Sequence, residues 1–362
     1  MYLKSNVKLI FTQMESRRKF IKQAGIVSAG MLLPFSESKG EPIVDANAII
    51  IPKPILKPQR LKAGDTVAIT SPAGAVWDEK QVNTFTEILK NFGFHVIHGE
   101  TLKQKYGYFA GSDELRANEL NELFANKKVK GIFSMKGGWG CARLLDKLNY
   151  ETIEKNPKVL IGFSDITTLL NVIYTKTGLV TFHGPVGNSG WNDFTSSSFK
   201  NVIIKGELSN FPLSPKPEDS MCVINKGETS GEIVGGNLSV LSGLLGSTYL
   251  PDWKGKILFL EEVKEEPYRI DKMLTQFKLN GVLDQLSGIV FGKFSKCEAE
   301  EPLKAFTFME VLEQHIKPLG IPAFYGAAIG HTENKITMPI GIKVKMDAEK
   351  GSIELMESAV VV

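Results

Sequence analysis

Lys158-Val159-Leu160-Ile161-Gly162-Phe163-Ser164-Asp165-Ile166-Thr167-Thr168 decides how the chain is read. A short, partly β-branched apolar run ends at Gly162, and apolar residues then recur with helical spacing at Ile166, Leu169, Leu170, Val172 and Ile173. That pattern predicts a buried strand, a tight turn at Ser164 and a helix. A serine in such a turn holds its hydroxyl at the C-terminal edge of a sheet, beside the N–H groups that open the next helix. The nucleophile elbow Gly-x-Ser-x-Gly uses the same placement, but here the pattern is Gly-Phe-Ser-Asp, without the second glycine. Serine before a helix is also a common N-cap, and Asp165 in the first turn suits the helix dipole. On this stretch alone Ser164 is a nucleophile or a cap.

Outward from there, strands are expected at 66–71, around 95–97 and at 130–135. Helices are expected at 78–92, from Ser112 onward with Leu115, Leu120, Leu123 and Phe124 on one face, and after Gly140 with Leu144, Leu145 and Leu148. Strand and helix alternate at βαβ spacing, which predicts an α/β fold whose N-terminal domain (61–190) is a flavodoxin-like parallel sheet. Residues 191–229 are polar and irregular, with Pro212, Pro215 and Pro217, and read as a connection or flap. Beyond them, helices are expected at 238–245, 268–279 and 308–316, and strands at 256–263 and 288–294. Alternating segments at 335–339, 343–346 and 352–356 give the second α/β domain (230–362) antiparallel strands.

The 362 residues suffice for two sizeable cores, and 43% hydrophobic and 23% charged residues are ordinary for a globular chain. A net charge of +3 argues for neither nucleic acid nor an anionic membrane. Cys141, Cys222 and Cys297 are too few for a disulfide framework and lack metal-ligand spacing. Near the start, Ser16-Arg17-Arg18-Lys19-Phe20-Ile21-Lys22 precedes a modest apolar run closed by Pro34, the pattern of a twin-arginine export signal over 1–38. The run is too short to span a bilayer, no cysteine follows it for a lipid, and Met14 is an alternative start. Export to the periplasm is expected, or a cytoplasmic location if the signal does not function. Pro52, Pro54 and Pro58 then mark an extended tether over 39–60.

Four features outside the opening stretch bear on chemistry. Lys136-Gly137-Gly138-Trp139-Gly140 ends a strand, where backbone N–H groups cradle an anion or form an oxyanion hole. It matches neither Walker nor dinucleotide spacing. Glu261 ends the apolar run 257–260 and, with Glu262, Glu265 and Glu266 near, reads by default as solvated. His331 lies among small residues that leave room for a ligand, and His183 in Thr181-Phe182-His183-Gly184-Pro185 is the competing base. No cluster has zinc spacing.

Seven landmarks stand in order: Phe109-Ala110-Gly111, Gly137-Gly138-Trp139-Gly140, Gly162-Phe163-Ser164-Asp165, His183-Gly184-Pro185, Gly235-Gly236-Asn237-Leu238, Leu260-Glu261 and Gly330-His331. In this register the chain resembles the serine peptidases called murein LD-carboxypeptidases, which include the microcin-immunity peptidases. The resemblance covers residues 61–356. It implies a cofactor-free Ser-Glu-His triad of Ser164, Glu261 and His331. It also implies oxyanion donors at the N–H groups of Asp165 and Gly138, and substrate contacts at Trp139 and Asn237. By the same resemblance the substrate is a murein tetrapeptide that loses its terminal D-alanine, and the protein is a homodimer. Lys136 stands where the family usually has arginine, Trp139 where it has tyrosine, and family members commonly look cytoplasmic. The alternatives are an amidase of the microcin-immunity type, with Trp191 stacking on a base, and a non-catalytic periplasmic peptide-binding protein.

Overall fold

The computed structural model describes residues 53–213 and 221–362. These fall within one compact unit, Ile50–Val362. The export signal and the first part of the tether lie outside the described residues. Among the described residues no helix is long and apolar enough to cross a membrane.

The first sheet is built by alternation. β1 (Thr66–Thr70) leads through α1 (Glu79–Asn91) to β2 (His95–His98), and α2 (Asp113–Ala125) leads to β3 (Val129–Ser134). α3 (Tyr150–Lys155) precedes β4 (Val159–Gly162), and α4 (Thr167–Thr177) joins β4 to β5 (Thr181–His183). All five strands run parallel. β4 is central, and Val159, Leu160 and Ile161 are fully buried, each contributing about 1.5–3 kcal/mol of apolar burial. α1 and α2 start where Asp78 and Ser112 accept an N–H of the first turn. The helix expected directly after Gly140 is instead a single 3₁₀ turn, Cys141–Leu144. The regular helix restarts only at α3, where Asn149 caps it.

The segment 191–229, expected as an irregular connection, carries structure. α5 (Asp193–Phe199) is capped by Asn192 and continues as a wide turn to Lys205. β6 (Asn210–Phe211), β7 (Cys222–Asn225) and the start of β8 (Glu228–Asn237) follow. The serine run hid the helix, but Thr195, Phe199, Val202 and Ile203 are buried along it. The tether is also docked from Leu56 onward: Leu56 N–H bonds Gly178 O at 2.8 Å and Arg60 N–H bonds Val361 O at 3.0 Å.

α6 (Leu238–Ser242), β9 (Ile257–Val263), α7 (Pro267–Leu279), β10 (Gly288–Ser295), α8 (Phe308–Ile316) and β11 (Ala323–Tyr325) continue the chain. β12 (Met338–Ile340), β13 (Ile342–Asp347) and β14 (Ser352–Leu355) end it. The second sheet has eight strands in the order β6-β14-β13-β8-β9-β10-β11-β7. Its middle, β8 to β11, is parallel and its flanks are antiparallel. β12 does not join it. That strand pairs antiparallel with β5 and closes the first sheet, so the sheets exchange a strand late in the chain. α4 ties them together: Asn171 Nδ2 donates to Gly235 O at 2.9 Å, and Asn237 N–H donates to Thr167 Oγ1 at 3.1 Å.

Candidate active site

Ser164 sits just past the end of β4 with φ +63°, a left-handed backbone that a non-glycine residue adopts only where its surroundings impose it. The helix starts beside it carry no side-chain cap bond, so Ser164 does not serve as an N-cap. The glycine loop lies directly on it. A Cβ at Gly137 would stand 2.7 Å from Ser164 Cβ and 3.0 Å from its Oγ, a separation only glycine tolerates. The Asp165 side chain locks this arrangement by accepting the Cys141 N–H at 2.9 Å. Burial raises the Asp165 pKa, against the bonds from Cys141.

Glu261 lies in the second half of the central strand β9 and is fully buried, contrary to its default reading as a solvated group. Its Oε2 meets His331 Nδ1 at 2.7 Å. Burial works to raise the Glu261 pKa, but the bond and charge of His331 outweigh it and the net shift is downward. The dyad is ionised on the carboxylate side and reachable on the other, because the His331 side chain keeps 23% of its surface exposed. His331 lies on the loop after β11. That loop is fastened to β10 by Lys293 N–H on Ile329 O at 2.9 Å and by Ser295 Oγ on His331 O at 2.7 Å. Phe163, the neighbour of Ser164, packs edge-on to the His331 ring at 4.8 Å, so β4 and the histidine loop meet beside the serine.

The other expected residues divide. Trp139 is 68% exposed at the lip of the glycine loop, free to meet a ligand. Asn237 is not. It is buried, its Oδ1 caps α6 through Val240 N–H at 3.1 Å, and its Nδ2 donates to Glu262 at 3.0 Å. In this structure these bonds hold Asn237 to the scaffold. Trp191 is likewise committed. It packs against Phe85, Phe92 and Phe199 at 5.4–5.8 Å and donates to Val186 O at 3.1 Å. His183 is 2% exposed with Nε2 4.0 Å from Glu261 Oε1, and burial pushes its pKa down to about 4. Lys335, nearly buried over the Phe163 ring, donates to Thr332 O, and burial lowers its pKa to about 8.

Two residues were not expected in this setting. Glu262 is buried beside Glu261 and accepts from Asn237, Ser239 and Val263. Arg116 is fully buried and donates to Pro72 O at 2.6 Å and Gly140 O at 3.2 Å, holding the loop after β1 against the glycine loop. Its place on the apolar face of α2, one turn before Leu120, is the signal that marks it. Among the described residues no group of acidic, histidine or cysteine side chains is arranged to hold a metal.

Residues 67–184 match the LD-carboxypeptidase N-terminal domain and residues 230–346 the LD-carboxypeptidase C-terminal domain. The chain is 38% identical over 304 residues to the probable murein peptide carboxypeptidase of Bacillus subtilis, across 82% of this chain and 93% of that one. It is 30% identical over 328 residues to the microcin C7 self-immunity protein MccF of Escherichia coli, across 82% and 94%. MccF in complex with glutamyl sulfamoyl guanosine shares the fold with a TM-score of 0.78 at 28% identity, over 84% of this chain and 100% of that one. The muramoyltetrapeptide carboxypeptidase from Oxalobacter formigenes does so with a TM-score of 0.70 at 29% identity, over 80% and 97%. With both domain matches on one chain, and with relatives that span the two sheets, this protein belongs to the LD-carboxypeptidase family of peptidases.

Proposed function

We propose that the protein is a serine-type LD-carboxypeptidase that removes the terminal D-alanine of a murein tetrapeptide. The observation that carries the serine mechanism is the left-handed Ser164 pressed against the glycine loop, with the buried Glu261 bonded to the part-exposed His331 beside it. The relatives' names, murein peptide carboxypeptidase and muramoyltetrapeptide carboxypeptidase, support the substrate.

In this mechanism Ser164 Oγ attacks the carbonyl that joins the L-centre of the diamino acid to D-alanine. His331 takes the hydroxyl proton on Nε2, and Glu261 holds Nδ1 and stabilises the imidazolium. The oxyanion meets the N–H groups of Asp165 and Gly138, which the backbone holds without reorganisation. His331 returns the proton to the departing amine of D-alanine. A water molecule, activated by the same imidazole, then frees the acyl group. Trp139 flanks the entering peptide.

Trp191, partly buried against Phe85, Phe92 and Phe199 and bonded to Val186 O, serves in packing, which weighs against the base-stacking role an adenylate amidase would give it. A binding protein without catalysis has no need of a strained serine beside a histidine held by a buried carboxylate. Export through Arg17-Arg18 belongs to the proposal and rests on the sequence. Cell fractionation of the wild type and an Arg17→Lys, Arg18→Lys variant tests it.

The decisive experiment is mass spectrometry of murein tri-, tetra- and pentapeptides incubated with wild type and Ser164→Ala. Loss of one alanine from the tetrapeptide, absent with Ser164→Ala, is the expected result. Release that survives Ser164→Ala would overturn the serine mechanism. No release from any peptide would overturn the substrate.

A further inference from the structure

The dyad uses one oxygen of Glu261. The other, Oε1, is buried and makes no hydrogen bond, and His183 Nε2, equally buried and also without a bond, faces it at 4.0 Å. A buried polar group left unpaired costs about 1–3 kcal/mol and a charged one more, so two orphans confronting each other at one site call for a reason. His183 cannot be the general base. It is 2% exposed, and the rings of Phe163 and Phe259, at 6.0 and 5.2 Å, pack edge-on against it.

Its position in the fold supplies the reason. His183 ends β5, in register with Gly162 of β4, two residues before Ser164. Glu261 lies two residues before the end of β9, in the other sheet. The nucleophile and the dyad therefore come from different sheets, and His183 is the side chain of the first sheet that points at the carboxylate of the second.

We propose that His183 is a positioning residue: its neutral imidazole donates Nε2–H to Glu261 Oε1 in the substrate complex. The carboxylate is then held between two imidazoles, and the dyad is registered on the strand pair that carries Ser164. A carboxylate bonded through one oxygen turns about its last bond and takes the His331 ring with it. A second donor on the opposite oxygen stops that rotation and fixes the ring that must reach Oγ. The field of Glu261 selects the Nε2–H tautomer, and burial keeps the ring neutral, with a pKa of about 4. The titratable groups that face it are Glu261, His331 and Lys335. Hydrogen bonds of catalytic groups are commonly long without substrate and tighten in the complex, which accounts for the 4.0 Å separation.

The inference rests on the Ser164–His331–Glu261 assignment, and its test has two arms. Wild type, His183→Phe and His183→Gln are compared in D-alanine release from a murein tetrapeptide and in the rate of labelling by a fluorophosphonate, which reads serine reactivity without the natural substrate. Misplacement of a catalytic group by about 1 Å costs roughly a hundredfold, so His183→Phe is expected to lose about that factor in kcat with KM unchanged. Labelling falls in parallel, and His183→Gln, which keeps a donor, recovers most of both. Wild-type kcat in His183→Phe would overturn the proposal. So would equal losses in both variants that track their loss of Tm, which would make His183 a packing residue. If the wild type is labelled but releases no alanine, the substrate assignment fails, and the labelling rates alone decide on His183.

Discussion

Gly330 brings the histidine loop so close to Glu261 that a Cβ at position 330 would stand 2.4 Å from Oε2, the oxygen that His331 Nδ1 reaches at 2.7 Å. The same glycine has φ +102°, where an L side chain is strained. Gly330→Ala is therefore expected to push the loop off the carboxylate and lengthen the dyad bond. We expect a fall in kcat of at least about tenfold and a loss of about 1–3 kcal/mol in stability. Steady-state kinetics and urea unfolding check both. An unchanged kcat would mean that the dyad spacing is not what limits the reaction.

Ser164 stores strain of a similar kind. Its φ of +63° disfavours serine and alanine equally and suits glycine. Ser164→Gly and Ser164→Ala are both expected to be inactive. Relief of the left-handed strain exceeds the added chain entropy of glycine, so Ser164→Gly is expected to be about 0.5–1 kcal/mol more stable than Ser164→Ala. Thermal unfolding of the pair decides. A less stable Ser164→Gly would show that the backbone there carries no strain.

These two residues mark how far a linear reading reaches. β4 and α4 were legible because an apolar run followed by 3.6-residue spacing is a local signal, and the motif order pointed to Ser164, Glu261 and His331. From the residues alone, however, Glu261 among neighbouring glutamates reads as solvated. Its burial depends on β9 lying between β8 and β10, which no local pattern records. The cap that Asn237 makes on α6 and its bond to Glu262 are likewise invisible in the linear order. α5 was hidden because a serine run lacks apolar periodicity, and the sheet that β12 joins was hidden because its partner β5 lies more than 150 residues earlier in the chain. In each case the missing information is a long-range contact.

The buried imidazole makes stability depend on pH in a stated direction. His183 has its pKa lowered from 6.5 to about 4 in the folded protein, so between those values the unfolded chain binds the extra proton. Its contribution is fully present above pH 6.5 and is lost as pH falls toward 4, on the order of 3 kcal/mol across the window. Glu261, also lowered, adds a loss that begins only below its ordinary carboxylate value. Urea unfolding at pH 7 and pH 4.5 is expected to show the wild type losing much more stability than His183→Gln. Equal losses would mean that His183 is not neutral by virtue of its burial.

Arg116 carries the last prediction, because it joins stability to the site. Its Nη1 holds Pro72 O and Gly140 O, its Nη2 meets Asp113 Oδ1 at 2.5 Å, and its guanidinium lies 4.7 Å over the Phe109 ring. The loop after β1 and the glycine loop are thus fastened by one planar cation, and the glycine loop is what presses on Ser164. Arg116→Met leaves one buried and one part-buried carbonyl without that donor and weakens the hold on Asp113, which keeps Arg143 at 2.8 Å. The expected cost is about 3 kcal/mol. kcat is expected to fall as well, with KM less affected, since a displaced glycine loop loosens oxyanion donors more than peptide contacts. Arg116→Lys is expected to rescue little, because one ammonium cannot reproduce the fork that spans these acceptors. Kinetics at a temperature well below both Tm values separate the two effects. A variant with lowered Tm but wild-type kcat would show that the glycine loop holds its place over Ser164 without the arginine.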